Sequence, residues 1–135
     1  MKKKRKKISF GRGLTSVEGV SWKFNDNVAR SFDKHVRQSI PHYDSIQKYI
    51  CSMSEWFIKP GSVVYDLGCS TGETAKNICE FNYSRKINFK FIGIDNGKQM
   101  IQIAKKKVKK PFIKFICADI NKIKFFNKSD LFISI

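Results

Sequence analysis

The residues best suited to chemistry lie in one short stretch, "SVVYDLGCSTGE", residues 62–73. An apolar run typical of a buried strand ends there on a carboxylate, Asp66. The turn after it contains two glycines and small polar residues: Gly68, Cys69, Ser70 and Gly72. A buried strand gains nothing from a terminal charge, and the glycines weaken any strand or helix that they interrupt. The stretch indicates a ligand held close to the backbone. The alternative is that Asp66 caps the next helix and the glycines only make a turn.

Further acidic residues follow two later apolar runs. "GIDN" places Asp95 and Asn96 after the second run, where a carboxylate can accept both hydroxyls of a ribose. "CADI" places Asp119 beside Ile120, a polar and an apolar group suited to the amino edge and the face of an adenine. Because the carboxyl ends of parallel strands meet at one edge of a sheet, these residues together outline an adenosine site.

The turn chemistry distinguishes between adenosine ligands. The dinucleotide fingerprint G-x-G-x-x-G has a middle glycine where backbone meets pyrophosphate, and this turn reads Gly-Cys-Ser-Thr-Gly. Asp66, two residues before the turn, repels phosphate but suits a cation. S-adenosylmethionine carries an ammonium and a sulfonium and no phosphate, so it is the cofactor that these residues favour. No metal-ligand pattern is present.

The elements that must position this site alternate between strand and helix. The predicted strands and the helices between them are, in chain order, "SVVYDL", "GETAKNICEF", "FKFIGID", "GKQMIQIAKKKV", "FIKFICAD" and "DLFISI". Short apolar strands separated by helices imply parallel strands covered on both faces, an α/β doubly wound sheet. The last strand is apolar and would leave an exposed edge, so we expect a piece of a longer protein.

Helical spacing predicts two helices before the first strand, divided near Pro41. In the second helix, one apolar stripe is expected: Ile46, Ile50, Met53 and Phe57. Two later helix starts carry capping patterns, in which a polar residue precedes a Glu or Gln by three positions. Ser70 with Glu73, and Asn96 with Gln99, are therefore expected to form reciprocal caps.

The 135-residue chain has a net charge of +16, and its first twenty residues carry seven bases against one acid. Such a surface favours polyanions, because neutralised phosphates release counterions. We therefore interpret residues 1–21 as a basic tail that attracts nucleic acid and residues 22–135 as the folded domain. The alternative is a solvated surface and a tail with no specific role.

The four cysteines match neither a zinc site nor a dense disulfide framework, which favours reduced thiols and a cytoplasmic protein. "KKKRKK" after Met1 is not followed by an apolar segment, so it does not resemble a signal peptide. No apolar run reaches the roughly 18 residues of a spanning helix, and we expect no membrane association.

Together, "VVYDLGCSTGE", "FIGIDNGKQMI" and "CADI" resemble the class I S-adenosylmethionine-dependent methyltransferases, whose first motif is an acidic residue followed by a glycine-rich turn. The segment "WKFNDNVARSFDKHVRQSIPHYDSIQKYI" narrows the resemblance to the carboxy-S-adenosylmethionine synthases of the tRNA wobble-uridine pathway and their methyltransferase-like relatives. The resemblance covers residues 22–135 and implies a Rossmann-like fold.

Carried onto this chain, the resemblance implies that Tyr43 closes over the cofactor from the N-terminal helices. Gly68, Cys69 and Ser70 would line the methionine portion. The remaining residues would hold the ribose and the base: Asp95, Asn96, Asp119 and Ile120.

Two departures limit the activity that the resemblance implies. Ser134 stands where the synthases have Asn after the fourth strand, so a cofactor contact is altered. The arginine for the prephenate carboxylate lies in a later segment that residues 1–135 do not include.

A methyltransferase is the first interpretation, with its catalytic residues unknown. The alternatives are a carboxy-S-adenosylmethionine synthase-like enzyme, or a module that binds cofactor or nucleic acid without turnover. Whichever holds, we expect self-association into a homo-oligomer through the apolar edge of residues 131–135.

Overall fold

A computed structural model describes residues 26–83, 85–124 and 128–135, with side chains from residue 31 onward. The basic tail expected over residues 1–21 lies outside the described residues. The boundary expected at residue 22 lies outside them as well, so it stays a prediction.

Two helices precede an alternation of strands and helices, as the apolar periodicity predicts. The helices are α1 (Asp26–Ser39), α2 (Tyr43–Phe57), α3 (Glu73–Tyr83) and α4 (Lys98–Lys107). The strands are β1 (Val63–Leu67), β2 (Lys90–Asp95), β3 (Ile113–Cys117) and β4 (Leu131–Ile133). A short 3₁₀ helix, Ile120–Lys122, follows β3. The two leading helices and four strands are confirmed.

The four strands form one parallel sheet in the order β3-β2-β1-β4. The chain adds β2 and β3 on one side of β1 and then crosses to its other side for β4. That reversal beside β1 is the topological switch at which open α/β sheets bind ligands. The α/β fold expected from the sequence is therefore confirmed, and the switch lies at the carboxyl end of β1, where Asp66 is found.

Helix α2 is present, but its apolar stripe is not its buried face. Its buried residues are Gln47, Cys51 and Ser54, whereas Met53 and Phe57 are exposed. The polar side chains turn inward because they find partners on α3: Gln47 bonds to Thr74 and Asn77. Hydrogen-bond pairing between two helices thus overrides the hydrophobic periodicity of one of them.

Both predicted capping pairs are wrong. Helix α4 begins after Gly97 rather than Asn96, and no side-chain cap bond forms there. The backbone N–H of Gly97 instead donates to Asp95 Oδ1 at 2.7 Å. At α3, the hydroxyl of Ser70 contacts the sulfur of Met100, and Glu73 forms ion pairs. Asp95, at the end of β2, thus accepts the N–H groups of Ser70 and Gly97. Glu73 pairs with Lys107 and Arg37 instead of accepting from Ser70.

Within the described ranges, no helix is long and apolar enough to cross a membrane.

Candidate functional site

The carboxyl end of β1 faces a cavity of about 120 Å³ beneath the two leading helices. Its polar lining comes from α2, the end of β1, the glycine turn and α3. Its apolar lining comes from α1, the turn after it and the last residue of the chain: Phe32, Val36, Ile40 and Ile135. Sites that enclose a whole small ligand usually measure roughly 300–1,000 Å³. This cavity therefore matches one portion of a nucleoside-sized ligand.

Asp66 is the most unusual group in the cavity. Its residue is 2% exposed, and among the described residues its Oδ2 has no hydrogen-bond partner. Burial, assisted by the nearby charge of Asp95, raises the pKa of Asp66 to about 7. A buried carboxylate oxygen without a partner costs free energy unless a ligand meets it. The group is therefore suited to a cationic or hydrogen-donating ligand.

Asp95 holds the glycine turn against the end of β2. One carboxylate oxygen accepts a hydrogen bond from the backbone N–H of Ser70 at 2.9 Å, and the other accepts from Gly97 at 2.7 Å. The N–H groups of Gly68 and Cys69 add bonds to the carbonyl of Ile94. Each carboxylate oxygen can accept a second bond. Asp95 can thus shape the turn and still receive hydroxyls from a ligand.

The turn adopts a backbone that glycine favours and most side chains avoid. Gly68 and Gly72 have φ of 82° and 75°, and Ser70 between them has φ of 48°. A Cβ on Gly72 would lie 3.0 Å from the Cβ of Ala104. Gly72 therefore lets α4 pack closely against the turn.

The side chain of Tyr43 lines the cavity from the start of α2. Its hydroxyl accepts a hydrogen bond from Gln47 at 3.2 Å, and the guanidinium of Arg37 lies 5.8 Å from the ring centre. Burial and the nearby charge of Glu73 raise the pKa of Tyr43. The phenol therefore stays protonated and can donate a hydrogen bond into the cavity.

An ionic cluster fastens α1 to the site. Lys107 Nζ donates to Asp33 at 2.5 Å, to Glu73 at 2.9 Å and to the hydroxyl of Thr71 at 3.2 Å. Arg37 donates to the other oxygen of Glu73 at 2.6 Å, and the hydroxyl of Thr71 donates to Asp33. Burial alone would raise the pKa of Glu73, but the bonds from Lys107 and Arg37 lower it overall. We call these five residues the α1 clasp.

The cavity gathers part of the predicted site. Of the residues expected from the sequence, the lining contains Tyr43, Asp66, Gly68, Cys69 and Ser70. Asp95, at the end of β2, accepts a hydrogen bond from Ser70 but does not line the cavity. Gly72 packs against α4. Burial and the charges of Asp66 and Asp95 raise the pKa of Cys69, so its thiol is not a reactive nucleophile.

The residues expected to hold the base lie further out. The carboxylate of Asp119 accepts bonds from Asn121, and Ile120 is 43% exposed. Asn96 contributes its carbonyl oxygen, 3.7 Å from the sulfur of Cys117. Ser134 lies one residue beyond β4 and is exposed, while its neighbour Ile135 reaches the cavity.

Sequence reasoning missed the helical wall of the cavity and the α1 clasp. Phe32, Val36 and Ile40 recur every four residues along and just beyond α1, a signal that was available in the sequence. The clasp had no such signal, because its charges come from three distant segments. The described residues contain no group of three side chains suited to a metal ion.

Comparison with known proteins places this geometry in a family. The model of a methyltransferase domain matches residues 58–135. The carboxy-S-adenosyl-L-methionine synthase of Staphylococcus epidermidis is 35% identical over 109 residues, which cover 80% of this chain and 46% of that protein. The synthase of Actinobacillus succinogenes is 34% identical over 110 residues, covering 78% and 45%. The chain thus spans about half the length of these curated relatives.

Solved structures share the fold. A methyltransferase from Thiobacillus denitrificans in complex with S-adenosyl-L-homocysteine has a TM-score of 0.57 at 20% identity, covering 81% of this chain and 42% of that one. The plantazolicin methyltransferase in complex with SAH has a TM-score of 0.55 at 20% identity, covering 78% and 40%. At this identity the likeness concerns the fold.

Proposed function

The chain belongs to the methyltransferase-domain family, and on that premise we propose that its carboxyl-end cavity binds the methionine portion of S-adenosylmethionine. The observation that carries the proposal is the Oδ2 of Asp66, which is buried in a cavity at the topological switch and has no hydrogen-bond partner among the described residues. The cofactor's ammonium supplies the positive charge and the donors that this oxygen lacks. A dinucleotide would instead bring phosphate toward the same carboxylate, which opposes its binding.

The ribose and the base of the cofactor are assigned to residues at the ends of β2 and β3. We assign the ribose hydroxyls to Asp95, whose oxygens keep free lone pairs. The base is assigned to Asn96, Asp119 and Ile120, which stand beyond the ends of β2 and β3. Ser134 is assigned a contact at the mouth of the cavity, next to Ile135.

The bound cofactor would supply an electrophilic methyl group on its sulfonium. The chain's own residues contribute position rather than covalent chemistry. Tyr43 and the residues of α1 line the cavity opposite Asp66, and the Gly68–Gly72 turn allows close approach to the backbone. Holding the cofactor in place can supply much of the rate of a transfer reaction without a catalytic base.

Carboxyl transfer is the second candidate, because the two curated relatives compared above are both named carboxy-S-adenosyl-L-methionine synthases. For the whole protein we infer a role in tRNA modification, which the resemblance of residues 22–135 to the synthases of the tRNA wobble-uridine pathway implies. A binding module without turnover is the third candidate. It is supported by the small cavity, which matches only one portion of the cofactor.

We infer a cytoplasmic location from the cysteines, all four of which are free thiols. The basic residues 1–21 are proposed to attract nucleic acid. Self-association is proposed through the edge of β4, because Phe132 and Ile135 are 51% and 55% exposed there.

Calorimetric titration of the 135-residue chain tests which cofactor it binds. We expect S-adenosylmethionine and S-adenosylhomocysteine to bind and NAD to bind at least tenfold more weakly, because Asp66 opposes phosphate. Tighter binding of NAD than of either sulfur nucleoside would overturn the proposal.

Turnover of labelled S-adenosylmethionine with tRNA, DNA and prephenate separates the three candidates. Methyl label on a nucleic acid supports a methyltransferase, and a carboxylated cofactor formed with prephenate supports the synthase. Cofactor binding without either product supports the module.

A further inference from the structure

A basic groove lies at the opposite end of the sheet from the cofactor cavity. It runs between the end of α4 and the edge strand β3, with a volume of about 430 Å³. Four exposed lysines line it, and buried Val108 and Phe115 lie beneath them. The four are Lys105, Lys109, Lys110 and Lys114. We call it the lysine groove.

The charge of the lysine groove is uncompensated within the described ranges. Its lining contains no Asp or Glu, and none of its four lysines forms an ion pair with a described carboxylate. The neighbouring Lys107 turns away into the α1 clasp. Lys105 is in the last turn of α4, where a cation also stabilises the helix end. Lys109, Lys110 and Lys114 lie beyond the helix, so that explanation does not cover them.

Aromatic surface flanks the lysines. Tyr83 is 77% exposed, and the ammonium of Lys110 lies 5.7 Å from its ring centre. Phe112 is 38% exposed and belongs to a second concavity of about 630 Å³, which shares Pro111, Ile113 and Lys114 with the groove. A row of cations beside exposed aromatic rings is the combination that binds single-stranded nucleic acid, with phosphates on the cations and bases against the rings.

We propose that the lysine groove binds single-stranded nucleic acid, with its phosphates on the four lysines and its bases against Tyr83 and Phe112. A duplex keeps its bases stacked inside and cannot use the two rings. A lipid surface is broad, whereas this site is a concave groove. Strands of five or six residues separate it from the cavity, roughly 17–20 Å at 3.3 Å per residue. The groove therefore anchors the strand at a distance from the cofactor.

The test measures binding of a fluorescent 20-nucleotide oligo-U by the full chain as a function of salt. Replacing all four groove lysines by Gln should weaken binding at least tenfold at low salt. It should also reduce the slope of log affinity against log salt by about 3, because each single-strand phosphate contact contributes about 0.7. Circular dichroism melting confirms that the variant folds.

A matched variant distinguishes binding at the lysine groove from general attraction by the positive charge of the whole protein. Replacing Lys34, Lys48, Lys124 and Lys128 by Gln removes the same charge from exposed positions elsewhere. We expect this control to change the slope by less than 1. Equal losses in the two variants, or an unchanged slope in the groove variant, would overturn the proposal.

A second pair of measurements tests the strand preference. Tyr83→Ala should weaken oligo-U binding about fivefold while leaving the salt slope unchanged, since it removes stacking and no charge. Duplex of the same length should bind more weakly and show no effect of Tyr83→Ala. Binding of phosphatidylserine vesicles without binding of oligo-U, or equal binding of duplex, would contradict the assignment.

Discussion

The two ends of the parallel sheet carry opposite charges and different kinds of surface. At the carboxyl ends, Asp66 lines a small cavity under two helices, and Asp95 accepts a hydrogen bond from the glycine turn beside it. At the amino ends and beyond α4, Lys90, Lys109 and Lys114 are exposed beside aromatic rings. The comparison shows how one short sheet can offer a closed site for a small cation and an open site for a polyanion.

The ends also differ in how tightly they are packed. The carboxyl end combines positive φ angles with a buried carboxylate that has no partner among the described residues. A Cβ there would lie 3.0 Å or less from a neighbouring atom at Gly72 and Gly93, although Gly68 has open space around it. The amino end has a glycine with a positive φ and open space around it, Gly61. Strained backbone persists where surrounding structure enforces it, and such places are often functional sites.

The largest difference in stability between the two ends of the sheet is expected from a substitution at Gly93. A Cβ there would lie 2.7 Å from the ring of Phe115 and 2.9 Å from the sulfur of Cys69. Gly93→Ala should therefore lower the free energy of unfolding by about 3 kcal/mol. Gly61→Ala is the matched control and should cost about 1 kcal/mol, from backbone strain alone. Urea denaturation measures both; equal losses would show that the two ends are packed alike.

The α1 clasp gives the next largest effect. Lys107→Met leaves the carboxylates of Asp33 and Glu73 facing each other without their shared cation. The cost should be about 2 kcal/mol, less than for a fully buried pair because the group is partly solvated. Lys106→Met, one residue away and exposed, should stay within about 0.5 kcal/mol of the parent. A Lys107 variant as stable as the Lys106 control would show that the clasp does not hold α1.

Asp95→Ala should weaken S-adenosylmethionine binding by roughly 1.5–3 kcal/mol, because two ribose hydroxyls lose a charged acceptor. The same change frees the N–H groups of Ser70 and Gly97, so Asp119→Ala, which removes a contact assigned to the base, serves as a comparison that leaves the glycine turn intact. Calorimetry measures both variants. An Asp95→Ala protein that folds and binds within about twofold of the parent would refute the ribose assignment.

Asp66 makes stability depend on pH. The folded state keeps the Asp66 proton up to about pH 7, whereas the unfolded chain loses it near pH 4. Between these values the folded state binds more protons, so the free energy of unfolding should fall as pH rises, by about 1.4 kcal/mol per unit. Asp66→Asn should remove this decline. An identical pH profile for parent and variant in thermal melts would contradict the burial of the charge.

Much of this architecture follows from the sequence. Apolar runs predict all four strands, and Asp66 with the glycine turn predicts the end of β1. The face of α2 did not follow, because Gln47 is buried by partners on α3 that lie 27 and 30 residues away. The caps did not follow either. Asp95, from the end of β2, accepts the N–H of Ser70 that Glu73 was expected to receive, and α4 begins one residue later than expected, after Gly97. Local patterns predict elements, while long-range hydrogen bonds decide which faces meet.

Calorimetric titration of S-adenosylmethionine into the parent chain and Asp66→Asn, at pH 6 and pH 7.5, tests the central claim most directly. The ionised fraction of a carboxyl with a pKa of about 7 rises severalfold across this interval. We therefore expect the parent to bind about fivefold more tightly at pH 7.5. Asp66→Asn should bind more weakly and without that increase. A variant that binds within twofold of the parent at pH 7.5, with the same pH dependence, would contradict the assignment of Asp66 to the cofactor's positive charge.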